Sequence, residues 1–157
     1  MKILTLTLSL KHFNQVLTGS KKRETRELTP INFSRYIEFM YNGFIYSRCE
    51  EIPNIQTIEF ETESIQAEGK SITFLPKPYD AIKYVVKTKS DQKTSLLIQI
   101  TESNLFFFLD DKGNDLTYQY QGITYVMAKI NYQLGAIIST HNVEWTRASK
   151  STKANSR

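Results

Sequence analysis

At 157 residues, with 40% hydrophobic and 23% charged side chains, the chain has the composition of one soluble globular domain. No apolar run approaches the ~20 residues that a membrane span needs, and the single cysteine, Cys49, excludes an intramolecular disulfide and a multi-cysteine zinc site. The net charge of +4 resides in the tail, where Arg147, Lys150, Lys153 and Arg157 face no acid; the body before it carries 16 basic and 16 acidic residues, too balanced for a dedicated duplex-DNA binder.

Met1-Lys2 leads straight into an alternating strand, not into the apolar core of a signal peptide. With one cysteine, this gives the expectation of a reducing, cytoplasmic setting. From Lys2 to Leu10 the residues Leu4, Leu6, Leu8 and Leu10 face one way and Ile3, Thr5, Thr7 and Ser9 the other, the pattern of a half-buried strand. A short helix follows. Ser9 caps it through its hydroxyl, Phe13, Val16 and Leu17 form its apolar face, and Gly19 stands where a positive φ is wanted.

Next comes Lys21-Lys22-Arg23-Glu24-Thr25-Arg26, five charges in six residues. In an extended segment Glu24 and Arg26 point the same way and Thr25 the other. A helix C-terminus favours cations, so Lys21 and Lys22 suit their place on physical grounds alone. Such a run is ordinarily a solvated helix end followed by a surface ion pair of little worth. The sharper reading is an ammonium, a carboxylate and a guanidinium gathered at the mouth of a β-structure.

Farther on, Thr29-Pro30 reads as a helix start, and Phe33, Ile37, Met40 and Tyr41 as a helical face closed by Gly43, so a helix is expected over 30–43. Phe44 to Cys49 is ambiguous, and Ile52-Pro53-Asn54 is a break. Thr57 to Glu63 alternates, with Glu59, Glu61 and Glu63 on a solvated face. Strands are expected over Ser71–Leu75, Tyr79–Lys87 (with Lys83 and Lys87 on its polar side), Thr94–Thr101, Asn104–Leu109, Leu116–Gln121, Ile123–Ile130 and Ala136–Thr140, with a hairpin turn at Asp110–Asn114. The fold class that follows is α+β dominated by β, a barrel or sandwich with two or three accessory helices. Residues 1–146 form the domain, and 147–157 form a basic, disordered tail with nothing to bury.

Most catalytic signatures are missing. There is no HExxH, no Walker-type loop, no GxSxG and no GxGxxG. His12 and His141 are the only histidines; they meet only if first and last strands adjoin, and two imidazoles alone make a poor zinc site. No metal and no cofactor is expected. Tyr118 and Tyr120 share a strand face and Trp145 follows the last strand; rings of this kind can stack bases, although barrel packing for the tyrosines and tail anchoring for Trp145 are the simpler accounts.

The spacing Gly19-x-Lys21-x-x-Glu24-x-Arg26, following a short helix that begins Ser9-Leu10-Lys11, resembles the signature of the ASCH domain family, a branch of the PUA-like β-barrels. The match covers about residues 3 to 28, with Pro78-Tyr79-Asp80 and Leu134-Gly135-Ala136-Ile137-Ile138-Ser139 as weaker echoes. The resemblance implies a PUA-like (ASCH) mixed β-barrel with a cleft beside the motif and an association with RNA or a nucleotide-like small molecule. Arg26 would make a forked contact to a phosphate or base edge, Lys21 would add a point charge, and Glu24 would accept from an amine or ribose hydroxyl or hold Arg26; Ser9 and Lys11 would shape the rim. Some members are similar to amidohydrolases on acylated cytidine that use a Lys and a Thr three residues later; here Glu24 occupies that later position. The rival expectation is therefore a small hydrolase or ribonuclease using Lys21, Glu24 and Thr25, with Lys21 as base and Thr25 or Ser20 as nucleophile. Like charges at Lys21 and Arg26 carry one more expectation: removing a cation leaves stability unchanged or higher while abolishing binding.

Overall fold

The computed structural model describes residues 1–48, 51–52, 59–61, 64–67, 70–86 and 93–143. Cys49, Lys87, Trp145, Glu63 and the tail 147–157 lie outside the described residues. The described residues are mostly β, with two short helices and twelve strands. It divides into two compact units, the first made of residues 1–22, 79–100 and 134–157 and the second of 23–78 and 101–133.

In the first unit, β1 (Ile3–Leu8) runs parallel to β8 (Ala81–Val86), with Leu4 opposite Ile82 and Leu6 opposite Tyr84. β8 pairs antiparallel with residues 94–100 of β9 (Thr94–Phe107), and the strand order here is β1-β8-β9-β12, where β12 spans Ala128–His141. Alternation behaves as the leucine pattern predicts: Leu4, Leu6 and Leu8 are buried and Ile3, Thr5 and Thr7 are exposed. Leu10 leaves the pattern because the chain has already turned into α1 (Leu10–Leu17), where it is exposed. A parallel β1–β8 pair requires a long crossover, and the main chain locks its start: Asp80 N–H donates to Lys2 O at 2.7 Å and Lys2 N–H donates to Asp80 Oδ2 at 2.6 Å. α1 buries Phe13 and Val16, each 1% exposed, and packs on β1 and β8.

The second unit holds β2 (Arg23–Leu28) antiparallel to residues 128–133 of β12. It also holds a separate sheet in the order β4-β3-β7-β6-β5, from β3 (Ile37–Tyr41), β4 (Phe44–Tyr46), β5 (Glu59–Glu61), β6 (Ser64–Ala67) and β7 (Lys70–Pro76). A hairpin of β10 (Thr117–Tyr120) and β11 (Ile123–Val126) completes it. Its core is aromatic. Phe74 meets Phe39 edge-on at 5.5 Å between ring centroids, and Phe33 stands 5.7 Å from Tyr125 and 6.2 Å from Phe74.

Three expectations need correction. The helix expected over 30–43 is a single turn, α2 (Phe33–Tyr36), followed by the β3–β4 hairpin. Ile37 and Phe39 are buried at period two, and Asn42 and Gly43 take φ of 55° and 82°, the two-residue turn that matches strand twist. The two strands expected at 94–101 and 104–109 are one, β9. The polar Glu102-Ser103-Asn104 stretch continues the strand, with Asn104 Nδ2 donating to Glu102 Oε2 at 2.8 Å. Likewise Ile123–Ile130 is divided between β11 and β12, and the strand expected at Ala136–Thr140 is the end of β12, which passes through Gly135 without a turn.

Candidate functional site

The unit boundary falls between Lys22 and Arg23, so the motif's residues are taken unit by unit. In the first unit Ser9 is the N-cap of α1. Its oxygen accepts from His12 N at 3.4 Å and stands 3.0 Å from His12 Nδ1. Lys11 is exposed on the first turn. At the other end of the helix, about 12 Å away at 1.5 Å per residue, Gly19 has φ of 83° and Lys21 N–H donates to Gln15 O at 2.9 Å. There Lys21 and Lys22 line a cavity of about 290 Å³ together with Gly19, Ile98, Leu134, Gly135 and Ile137. Leu134 N–H donates to Lys22 O at 3.0 Å, which ties two of the sequence segments singled out above to one place. Ser9 and Lys11 therefore stand apart from Lys21, at opposite ends of one short helix. Ser20 Oγ is engaged with Gln15 O at 3.2 Å as part of the helix end.

In the second unit β2 alternates as expected, but its inner face is more enclosed than a surface pair would be. Glu24 is 3% exposed and Leu28 4%, opposite Tyr132 and Ala128 of β12. Arg26 Nε donates to Glu24 Oε2 at 2.9 Å, and the arginine side chain is 32% exposed. An ionised carboxylate with so little water around it needs charged and hydrogen-bonded partners to stay ionised. The pair uses only the Nε edge of the guanidinium. Its two terminal amino groups have no hydrogen-bond partner among the described residues. A carboxylate-braced arginine of this kind presents a fork of fixed orientation, the geometry that takes a phosphate or carboxylate in two parallel bonds.

Thr25 lies on the other face. Its hydroxyl donates to Asn131 Oδ1 at 2.6 Å across the β2–β12 ladder. A hydroxyl turned away from Glu24 and already committed to a cross-strand bond is poorly placed to act as a nucleophile.

The same unit carries an aromatic surface around Tyr118 and Tyr120, the pair whose shared face the sequence shows. Glu27, Leu28, Phe108, Tyr118 and Met127 line a cavity of about 220 Å³ in the second unit. Tyr118 stacks on Tyr125 at 5.7 Å and 21°, and Tyr120 meets Tyr125 edge-on at 6.4 Å. The Tyr118 hydroxyl is buried with no hydrogen-bond partner among the described residues, and desolvation, with a smaller contribution from Tyr125, raises its pKa. Lys129 Nζ lies over the Phe106 and Phe108 rings at 5.8 and 5.7 Å. The i, i+2 aromatic alternation at Tyr118 and Tyr120 was visible in the sequence. The partners that make it a surface, from β9, β11 and β12, were not.

His12 lies in the first turn of α1 and His141 at the end of β12, and β1 and β12 are not neighbours in the strand order. Among the described residues no group of three or more His, Cys, Asp or Glu is arranged to hold a metal ion. No described helix is long and apolar enough to cross a membrane. No protein-family model matches the chain, and no curated protein or solved structure matches it.

Proposed function

We propose that the chain is a binding module of the PUA-like (ASCH) kind that takes RNA or a nucleotide-like ligand through Arg26. The carrying observation is the braced fork: Glu24, buried, holds Arg26 by Nε alone, and the arginine side chain stays one-third exposed. A pair made only to close a sheet would satisfy its arginine inside the protein. Here the two terminal amino groups keep their donors for another acceptor, and each donates best to a charged one.

The second unit also supplies a place for a ring. Arg26 and Leu28 lie on one face of β2, about 7 Å apart along the strand, and Leu28 lines the cavity formed with Phe108 and Tyr118. A phosphate or base edge on Arg26 with a planar ring against these side chains is the arrangement such a surface suits. Thr25's commitment to Asn131 favours binding over hydrolysis.

The test is Arg26→Lys, which keeps the charge and removes the fork. Fluorescence anisotropy with a labelled single-stranded RNA 8-mer, and thermal shifts with nucleoside monophosphates, are measured for both proteins. The expected outcome is a loss of about tenfold or more in affinity with the melting temperature within a few degrees of wild type. Equal binding by Arg26→Lys would show that the fork is not what holds the ligand.

A further inference from the structure

On the first unit, a groove of about 440 Å³ is lined by Lys83, Ser95, Ser139, Thr140 and His141, with Leu97 among its apolar walls. We infer that this groove binds a phosphate group, at a site whose residues are all distinct from those of the Arg26 fork.

Three observations converge. The first is the state of the polar side chains. Among the described residues none of these five makes a side-chain hydrogen bond or an ion pair. Ser95 lines the groove with a hydroxyl that has no hydrogen-bond partner among the described residues, so it can donate to a ligand there. The second is the sign of the charge. Among the described residues, Lys83 and the imidazole of His141 line the groove and no carboxylate does. One ammonium, one imidazole and three hydroxyls can all donate to oxygen, the donor set of an oxyanion site. The third is the field around it. Among the described residues the first unit carries six Lys against one Asp, whereas the second carries eight Lys and Arg against ten Asp and Glu. Anions are therefore drawn to the first unit, although the whole chain's charge of +4 does not reveal it.

The register explains why the cluster forms. Thr5, Lys83 and Leu97 are consecutive partners across β1, β8 and β9, so Lys83 stands mid-sheet with its side chain on the exposed face. Val85 and Ser95 are the next partners but one, which places Ser95 on that same face one step along. β12 brings Ser139, Thr140 and His141 from the far end of the sequence. The apolar walls give an organic body attached to the phosphate something to cover.

The two histidines make the experiment direct. His12 and His141 give separate imidazole proton resonances, assigned with His141→Gln. At fixed pH and ionic strength the protein is titrated with inorganic phosphate, with adenosine monophosphate and with a short single-stranded RNA. The His141 signal is expected to move saturably while His12 moves little, and Lys83→Gln is expected to weaken the response by about tenfold. Ser95→Ala, which removes only the hydroxyl, is expected to weaken it by less. Equal affinity for inorganic phosphate and the nucleotide would identify the ligand as free phosphate; tighter binding of the nucleotide or RNA would place sugar or base on the Leu97 wall. Both patterns support the site. A His141 signal that none of the three ligands moves, or that responds equally in Lys83→Gln, overturns it. Arg26→Lys should leave the His141 response intact, which separates failure of this site from failure of the fork.

Discussion

Glu24 decides what its neighbours do. At 3% exposure it is a carboxylate inside the protein, and Arg26 Nε at 2.9 Å is part of what keeps it there. This replaces the expectation that deleting a cation costs no stability. That expectation weighed the repulsion between Lys21 and Arg26 in a ligand cleft and left out the enclosure of Glu24. In an enclosed site the cost of leaving a charge with fewer partners is larger than the repulsion it relieves. Arg26→Ala is therefore expected to lower stability by about 1–3 kcal/mol, less than for a fully buried pair because the guanidinium is one-third exposed. Glu24→Gln keeps an acceptor for Nε and removes the charge, so its loss should be smaller. Urea melts of the two variants and the wild type check the order. An Arg26→Ala protein as stable as wild type would show that the pair is as weak as a surface one. Strand alternation made it legible that Glu24 and Arg26 share a face. That the face is the inner one was not legible, because the enclosing residues, Tyr132 and Ala128, are a hundred positions away.

The same contrast holds for elements. Ser9, the Phe13–Val16 face and Gly19 are local signals, and α1 forms between them as read. The leucine alternation of β1 is equally local. The segment 30–43 misled because Phe33, Ile37, Met40 and Tyr41 fit a helical period, while Ile37, Phe39 and Tyr41 fit a strand period equally well. Asn42-Gly43 between two runs of aromatic and β-branched residues was the stronger signal, since that dipeptide favours a two-residue hairpin turn. The length of β9 and β12, 14 residues each, was not legible. Their polar middles read as breaks until partner strands supply the ladder that carries the backbone through them. A substitution tests the hairpin. Gly43 has φ of 82° with no atom within 4 Å of an added Cβ, so Gly43→Ala meets only the backbone penalty of the left-handed region. It should cost about 1 kcal/mol and lower the melting temperature by a few degrees, with Asn42→Gly close to neutral. A Gly43→Ala protein that melts higher would mean the position does not need positive φ.

At the scale of the molecule, the partition of charge is what the two units add to the sequence. Read along the chain, basic and acidic runs alternate and the body is neutral. Sorted by unit, the described residues give the first a net charge of +5 and the second −2. The crossing of the chain between units does this: β8 and the residue preceding β9 bring Lys83 and Lys93 to the unit that already holds Lys2, Lys11, Lys21 and Lys22. A polyanion responds to local field within roughly a Debye length of ~8 Å at physiological salt, not to total charge. Two substitutions with the same effect on total charge therefore separate these descriptions. Lys93→Glu alters the first unit and Lys112→Glu the second; both side chains are exposed, and neither lines a cavity described above. If single-stranded RNA is held by the field of the first unit, Lys93→Glu should weaken binding at low salt by more than Lys112→Glu. It should also make the plot of log affinity against log salt shallower, by up to about 0.7 for one lost phosphate contact. The gap between the variants should close as salt rises and the field is screened. Equal losses would mean that RNA senses only net charge. No loss in either, with affinity indifferent to salt, would place the binding energy in base contacts such as the aromatic cavity of the second unit and take it away from phosphates altogether.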